Sequence, residues 1–469
     1  MKTKLINLWE KLRASYWFLP GLMALGAVLV AFVFGTVDRL WGPALAESFA
    51  WIGGNEPQGA RAFLSTVAGA TITVTGVVFS VTIVALSLAS QQFGPRLLNS
   101  FMRDQANQGV FGVFVATYLY CLLVLRTIHG TGPDGFVPQL SLLVGFILAV
   151  FSVGVLIFFI HHVAESIQAM TVIANVNRDL QDAIDAHFPI PARTSPRQWT
   201  RNLPAGEIPE DFAASSRPVP VEKGGYIQAV NLAGLLRLAA DRDLLLRMER
   251  RPGDFLVKGA PLVRAWPAGK ATDGELQRAV NDAFILGGKR SQEQDIEFLL
   301  RQLTEIAVRA LSPGVNDPFT AINCIDYLGS GLAELARRDL PPPWHFDAGG
   351  RLRLIARVQT FEGALAAAFD PIRQYGRSDV AVTLRLLETI AVVLACTRTE
   401  PQRRALIRQA AMIERGSKEA LPEEEDRREV HERYLRIFGA LEEHFGLSGE
   451  SEGGLVAPAT GKNGAEPAE

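Results

Sequence analysis

Residues 66–95 read TVAGATITVTGVVFSVTIVALSLASQQFGP, a run without a single Asp, Glu, Lys or Arg. The alternating β-branched residues of TITVTGVV would suit a strand, but a lone strand in lipid leaves its N–H and C=O groups unsatisfied, whereas a helix pairs them internally. A hydrocarbon core about 30 Å thick asks for roughly 20 apolar residues in a helix. Ala62 to Ser90 meets that test, and at 1.5 Å per residue it would run about 43 Å. It should therefore tilt or project beyond the hydrocarbon before Gly94 and Pro95 end it. Trp17 to Val37, Gly109 to Ile128 and Pro138 to Ile160 are also long and apolar enough. The fold class expected is a mainly α membrane protein with four transmembrane helices.

The polar residues of the second span are patterned. Thr66, Thr73, Ser80 and Ser87 recur every seven positions, interleaved with Gly69, Gly76, Ile83 and Ser90. Val67, Val74, Val77, Val81 and Leu88 occupy another face, the one suited to lipid, and Thr71, Thr75 and Thr82 form a third column roughly opposite the first. Small residues let membrane helices approach closely and hydroxyls hydrogen-bond across the gap, so a packing seam explains the stripe. A pore wall, with hydroxyls turned to water, explains it too. The candidate residues on either reading are Thr66, Gly69, Thr73, Gly76, Ser80, Ser87 and Ser90. The lack of ionisable residues in this span argues against proton relay and voltage sensing.

Flanking charge sets orientation. Lys2, Lys4, Lys11 and Arg13 precede the first span and Arg96 and Arg103 follow the second, against only Arg39, Arg61 and Arg126 on the other side. That places segment 1–16 in the cytoplasm and, after four crossings, everything beyond Ile160 as well. A cleaved leader competes for the first span, because Ala44-Leu45-Ala46 resembles a cleavage site, yet an apolar run of about 20 residues exceeds the roughly 7–15 of such leaders. Trp9, Tyr16, Trp17, Trp41 and Trp51 lie near span boundaries, where interfacial aromatics belong. Cys121, Cys324 and Cys396 are widely spaced, with no CxxC and no Cys/His cluster, which opposes a disulfide framework and a zinc site.

Beyond the membrane the sequence predicts a cytoplasmic α+β domain, a small β-rich module plus a helical bundle. Residues 161–188 continue the fourth span as a stalk, with Val163, Ile167, Met170, Ile173, Leu180, Ile184 and Phe188 on one side; His161 and Glu165, at i and i+4, could contribute to a metal or proton site. Segment 189–220 reads as a linker, 221–267 as the β-rich module (GYIQAV and the RRPGD turn), and 268–446 as the helical domain. Its helices are expected from capping boxes at Thr272/Glu275 and Ser291/Gln294 and over Leu352–Phe369, Asp379–Cys396, Gln402–Glu414 and Pro422–His444. Segment 447–469, dominated by Gly, Glu, Pro and Ala, is expected to be disordered.

Between two helical patterns stands RALSPGVNDPFTA, Arg309 to Ala321. Pro313 and Gly314 should end one helix, Asp317 cap the next and Pro318 enter its first turn. Ser312 and Asn316 stay free to meet a ligand, an ion or another subunit. This phrase, with SVTIVALSLASQQFGPRLL, GYIQAV and PGDFLVKGAPL, resembles the bacterial predicted membrane proteins grouped as domain of unknown function 2254. The likeness runs from the first span to about Cys396. It implies a four-span bacterial membrane protein with a cytoplasmic domain, and it carries no activity or catalytic residues; with the orientation read from flanking charge, the location expected is the bacterial inner membrane, multi-pass, with both termini cytoplasmic. GDFLVKGAPL also resembles the turn and strand of a biotinyl or lipoyl domain, without the modified hairpin lysine.

No P-loop, Rossmann glycine pattern, GxSxG elbow or HExxH is present, so no enzyme, cofactor or metal is expected. The net charge of -2 gives no reason for nucleic acid. The partners expected are the lipid bilayer and further copies of the chain. The function expected is a homo-oligomeric pore or transport protein whose second span lines or seals the path; the alternative is a membrane-anchored scaffold or sensor.

Overall fold

The third apolar helix is the hub of the membrane unit. In the computed structural model, which describes residues 17–49, 57–94, 104–130, 136–188, 207–270 and 274–445, four helices are long and apolar enough to cross a membrane. They are α1 (Phe18–Phe49), α2 (Pro57–Phe93), α3 (Gln105–Leu125) and α4 (Gln139–Ser166). Half of the most apolar window of α3 is buried, against 17%, 28% and 17% for α1, α2 and α4, and each of the other three packs on it. Gly112 makes the α1–α3 approach possible, since a Cβ there would sit 2.5 Å from Met23 Sδ and 3.2 Å from Pro20 Cα. Leu64, Ala68, Tyr120, Cys121 and Leu142 fill one layer of the bundle, and Val78, Ala85, Phe114, Phe159 and Val163 fill another.

Segment 1–16, linker residues 189–206, Thr272 and segment 447–469 lie outside the described residues. The chain divides into two compact units at Val172/Ile173.

The stalk is not a continuation of the fourth span. α4 ends at Ser166, whose hydroxyl takes the Val163 carbonyl at 3.0 Å while Gln168 N–H reaches back only to Glu165 O. A separate helix, α5 (Ala169–His187), follows. Its Ile173, Val176, Leu180 and Ile184 are buried, which is the face a 3.6-residue period predicts.

In the second unit, α6 (Phe212–Ser215) precedes β1 (Arg217–Pro220), β2 (Gly225–Val230), α7 (Leu232–Asp241), β3 (Leu245–Met248), β4 (Phe255–Leu256), β5 (Pro261–Trp266), α8 (Gly274–Asp282) and β6 (Phe284–Gly287). Then come α9 (Ile296–Ala310), α10 (Pro318–Arg337), β7 (Trp344–Phe346), β8 (Leu352–Ile355), α11 (Phe361–Tyr375), α12 (Val380–Leu394), α13 (Glu400–Ala420) and α14 (Glu424–Phe445). One sheet has the order β1-β5-β3-β8-β7 and the other β4-β2-β6. Ile227, Leu235, Leu246, Leu262, Leu276 and Leu354 share a single core between the sheets and α7 and α8.

Strand thus extends past 267, because β6, β7 and β8 come from the stretch read as purely helical. β8 falls at the start of the helix expected over Leu352–Phe369; all four residues of LRLI are buried, so the strand lacks the one-sided burial that marks a half-exposed strand. Its pairing is nonlocal and parallel, Leu246 opposite Leu354. The Ser291/Gln294 capping box is not formed. Asp295 caps α9 instead, accepting from Phe298 N–H, and Gln294 Oε1 accepts from Val230 N–H.

Arg251 and Arg290 converge on the start of α9. Arg251 meets the buried Glu297 at 2.7 Å and Arg290 meets the buried Asp295 at 2.5 Å. Gly253, at φ 91°, permits that approach: a Cβ there would fall 2.2 Å from Asp295 Oδ2. Burial pushes the Asp295 carboxyl up despite Arg290.

Candidate functional site

The face of α2 that packs within the chain is not the stripe. Thr71, Thr75 and Thr82 are buried, with Leu64, Ala68, Val78 and Ala85 on the same side. They are the third column of the sequence pattern. Their hydroxyls bond the Val67, Thr71 and Val78 carbonyls at 2.6, 2.7 and 2.8 Å. Thr66, Gly69, Thr73, Gly76, Ser80 and Ser87 are exposed along the opposite side, and Ser90 is half-buried. Thr66, Thr73 and Ser80 donate to the carbonyls of Ala62, Gly69 and Gly76, four residues back, at 2.7, 2.8 and 2.8 Å. Hydroxyls so bonded need neither water nor a neighbouring helix. A Cβ added at Gly69 or Gly76 would meet nothing within 4 Å, so among the described residues no contact accounts for glycine at those positions.

Polar side chains tie both ends of the bundle. Asp38 of α1 is fully buried and accepts from Leu140 N–H and Ser141 N–H at 2.9 Å each and from the Ser141 hydroxyl at 2.5 Å. It caps α4 from another helix. The N-cap of α4 itself is Pro138, which offers no side-chain acceptor; that local deficit was the signal by which the sequence could have shown that a cap must come from elsewhere. Tyr120 donates to Ser141 O at 3.0 Å, and Arg61 donates to Ile128 O at 3.0 Å. At the opposite end Asp104 caps α3, accepting from Ala106 N–H at 2.9 Å, and its other oxygen lies 2.6 Å from His162 Nε2. The His161–Glu165 pair expected on α4 does form, at 3.3 Å, but both side chains are exposed.

The Arg309–Ala321 corner is built by its own residues. Ser312 donates to Arg309 O at 2.6 Å, Asn316 N–H reaches Ser312 O at 2.9 Å, and Asp317 N–H returns to Ala310 O at 2.8 Å. Asn316 sits at φ 50°, a left-handed conformation that Asn tolerates. Asp317 accepts from Thr320 N–H and its hydroxyl at 3.1 and 2.6 Å, and Pro318 opens α10. Ser312 is therefore spent on the turn, while Pro313, Gly314, Val315 and Asn316 are exposed. Asp317→Ala is expected to lower stability by about 1–2 kcal/mol, as loss of an N-cap does, with Asp317→Ser restoring most of it; urea titration of the detergent-solubilised protein reads both.

A cleft of about 490 Å³ opens between α5, α10 and α12. Arg385 bonds Asp326 through two nitrogens, at 2.5 and 2.9 Å, and these bonds hold its guanidinium charged, above its ordinary range. Towards the other end Arg337 donates to Cys396 Sγ at 3.1 Å. Cys121 and Cys324 are buried and Cys396 is partly exposed; burial pushes the Cys324 thiol up. This cleft was not legible along the chain, because its charges come from helices some sixty residues apart.

Comparison with known proteins agrees with the four apolar helices. An uncharacterized protein of Mycobacterium bovis is 33% identical over 378 residues, covering 79% of this chain and 70% of its own length. An uncharacterized protein of Mycobacterium tuberculosis matches to the same extent, 33% over 378 residues, with 79% and 70% covered. No solved structure matches the chain. The profile described as predicted membrane protein, domain of unknown function 2254, matches residues 13–392, and the chain belongs to that family.

Proposed function

We propose that the chain assembles with copies of itself in the membrane through the open face of α2, and that this face seals or lines a path across the bilayer. The reading is carried by one observation: Gly69 and Gly76 have empty space beyond them, on an exposed face they share with Thr73 and Ser80. Glycine is costly within a helix, and in membranes it recurs where two backbones approach. With the Thr73 and Ser80 hydroxyls already bonded to carbonyls, the face suits a closed seam at rest. A path would open as neighbouring α2 helices separate.

Cysteines placed at Gly76 or Ser80, in a Cys396→Ser background, are expected to cross-link between chains in native membranes, and cysteines at Val77 or Val81 are not. Gly76→Leu should weaken self-association by about tenfold or more, the scale of 1–2 kcal/mol from helix contacts in lipid. Ser80→Leu and Thr73→Leu should alter ion release from liposomes. Cross-linking at Val77 with none at Gly76 would overturn the seam. A seam without flux under tension, voltage or pH change would leave the scaffold or sensor reading in its place.

A further inference from the structure

We propose that the sheet face around β4 docks the second unit on the surface of a bilayer that contains acidic phospholipid. Along β4 and one residue past it burial alternates: Leu256 is 1% exposed, while Phe255 and Val257 on either side of it are 57% and 64% exposed. Tyr226 of β2 stands opposite Phe255, with ring centroids 5.0 Å apart. That aromatic pair accounts for Phe255 and Tyr226 and leaves Val257 without a contact that asks for an apolar side chain. Single exposed hydrophobic residues are ordinary on a protein surface, but these are flanked by lysines. A Cβ at Gly224 would fall 3.0 Å from Leu256 O and 3.5 Å from Lys258 N, so the backbone carrying Lys223 runs against the backbone carrying Lys258. On the other side of Tyr226 its partner is Gly287 of β6, and Lys289, two residues later, has its carbonyl bonded by Gln228 of β2 at 2.9 Å.

Among the described residues the lysines held in ion pairs are Lys270, with Asp243, and Lys418, with Glu414. Lys223, Lys258 and Lys289 are exposed and in no such pair. Of the acids next to them, Asp254 spends a carboxylate oxygen on the Arg251 N–H at 3.1 Å and Glu222 is exposed, so positive charge is in excess. Ammonium groups around an apolar tip match a phospholipid surface, where they meet headgroup phosphates while the apolar side chains enter the boundary beneath. The chain's own connectivity favours a bilayer over a soluble partner. The last apolar helix ends at Ser166 and the second unit begins at Ile173, so the unit is tethered to a membrane and meets its surface at high effective concentration. Contact too weak to hold a free protein then suffices. Each lysine close to an acidic surface contributes about fivefold in affinity, and the three together about a hundredfold.

The full-length protein in nanodiscs would carry a bimane label at Val257→Cys in a Cys396→Ser background, Cys121 and Cys324 being buried, with nitroxide-labelled lipid as the quencher. In phosphatidylcholine mixed with phosphatidylglycerol the label is expected to be quenched. Quenching should fall at high salt and in phosphatidylcholine alone. Lys223→Gln, Lys258→Gln and Lys289→Gln combined should move the ratio of docked to free unit about a hundredfold toward free, and Phe255→Ser should lower it too, with circular dichroism confirming that each variant is folded. A label at Phe319→Cys, a position 76% exposed on α10, should stay unquenched. Absence of quenching at Val257, quenching that neither lipid charge nor the triple lysine variant changes, or equal quenching at Phe319 overturns the proposal. So does a disulfide between chains at Val257→Cys, which would make the patch a contact between copies.

Discussion

Asp38→Ala is expected to release the start of α4 from α1 at a cost of about 3–5 kcal/mol. Hydrogen bonds to a charged group contribute roughly 1.5–3 kcal/mol each, and stranding a buried donor adds its desolvation. Asp38 receives three such bonds, two of them from the backbone N–H groups of Leu140 and Ser141. Those groups begin a helix whose first N–H donors have no partner within it, and lipid offers no replacement. Hydrogen exchange in detergent should show the amides of residues 140 and 141 losing protection by about a hundredfold or more, since each 1.4 kcal/mol is a factor of ten. Amides in the middle of α3 should change far less. Asp38→Asn, with one acceptor oxygen left, should recover part of the protection. Unchanged exchange at both positions in Asp38→Ala would mean that another group caps α4.

Arg251→Ala should have a comparable effect in the second unit, about 3–5 kcal/mol, the loss seen when one partner of a buried ion pair is removed. The Glu297 carboxylate keeps only 3% of its side chain exposed, with Arg251 at 2.7 Å and Arg301 at 3.8 Å. Without Arg251 the buried carboxylate keeps only the more distant Arg301 as a charged partner. Folded domains are stable by about 5–15 kcal/mol, so the loss is a large share of the total. Arg251→Met combined with Glu297→Leu should be far milder than Arg251→Ala alone, because the stranded charge is gone. Denaturant unfolding followed by the fluorescence of Trp266 and Trp344 compares the two; equal losses would place the cost in packing.

The four spans were legible because crossing lipid imposes a length and a composition that few other structures share. The corner was legible for a local reason: Pro313, Gly314, Asp317 and Pro318 each answer a requirement set within a few residues. The stripe on α2 was legible as a pattern, but the pattern alone did not say which of the two hydroxyl columns faces the rest of the chain. That choice depends on α3, whose Phe114 and Val110 fill the layer beside Val78 and Ala85. The role of Asp38 was not legible, since nothing near it in sequence announces a partner 103 residues away. The His162–Asp104 contact was not legible, because i, i+4 spacing is visible along a chain and interhelical distance is not. β8 failed for the same reason, its strand character residing in its pairing with β3.

The distance between Asp38 and Ser141 also bears on biogenesis. A ribosome adding about 5–20 residues per second needs roughly 5–20 s to make the intervening chain, and for that interval the carboxylate has none of its final donors. Until then α1 has reason to stay near the headgroups or against the insertion machinery, where water or another protein can solvate it. The first span to be made is thus expected to be among the last to settle, and a ribosome stalled before α4 emerges should leave α1 extractable from the bilayer.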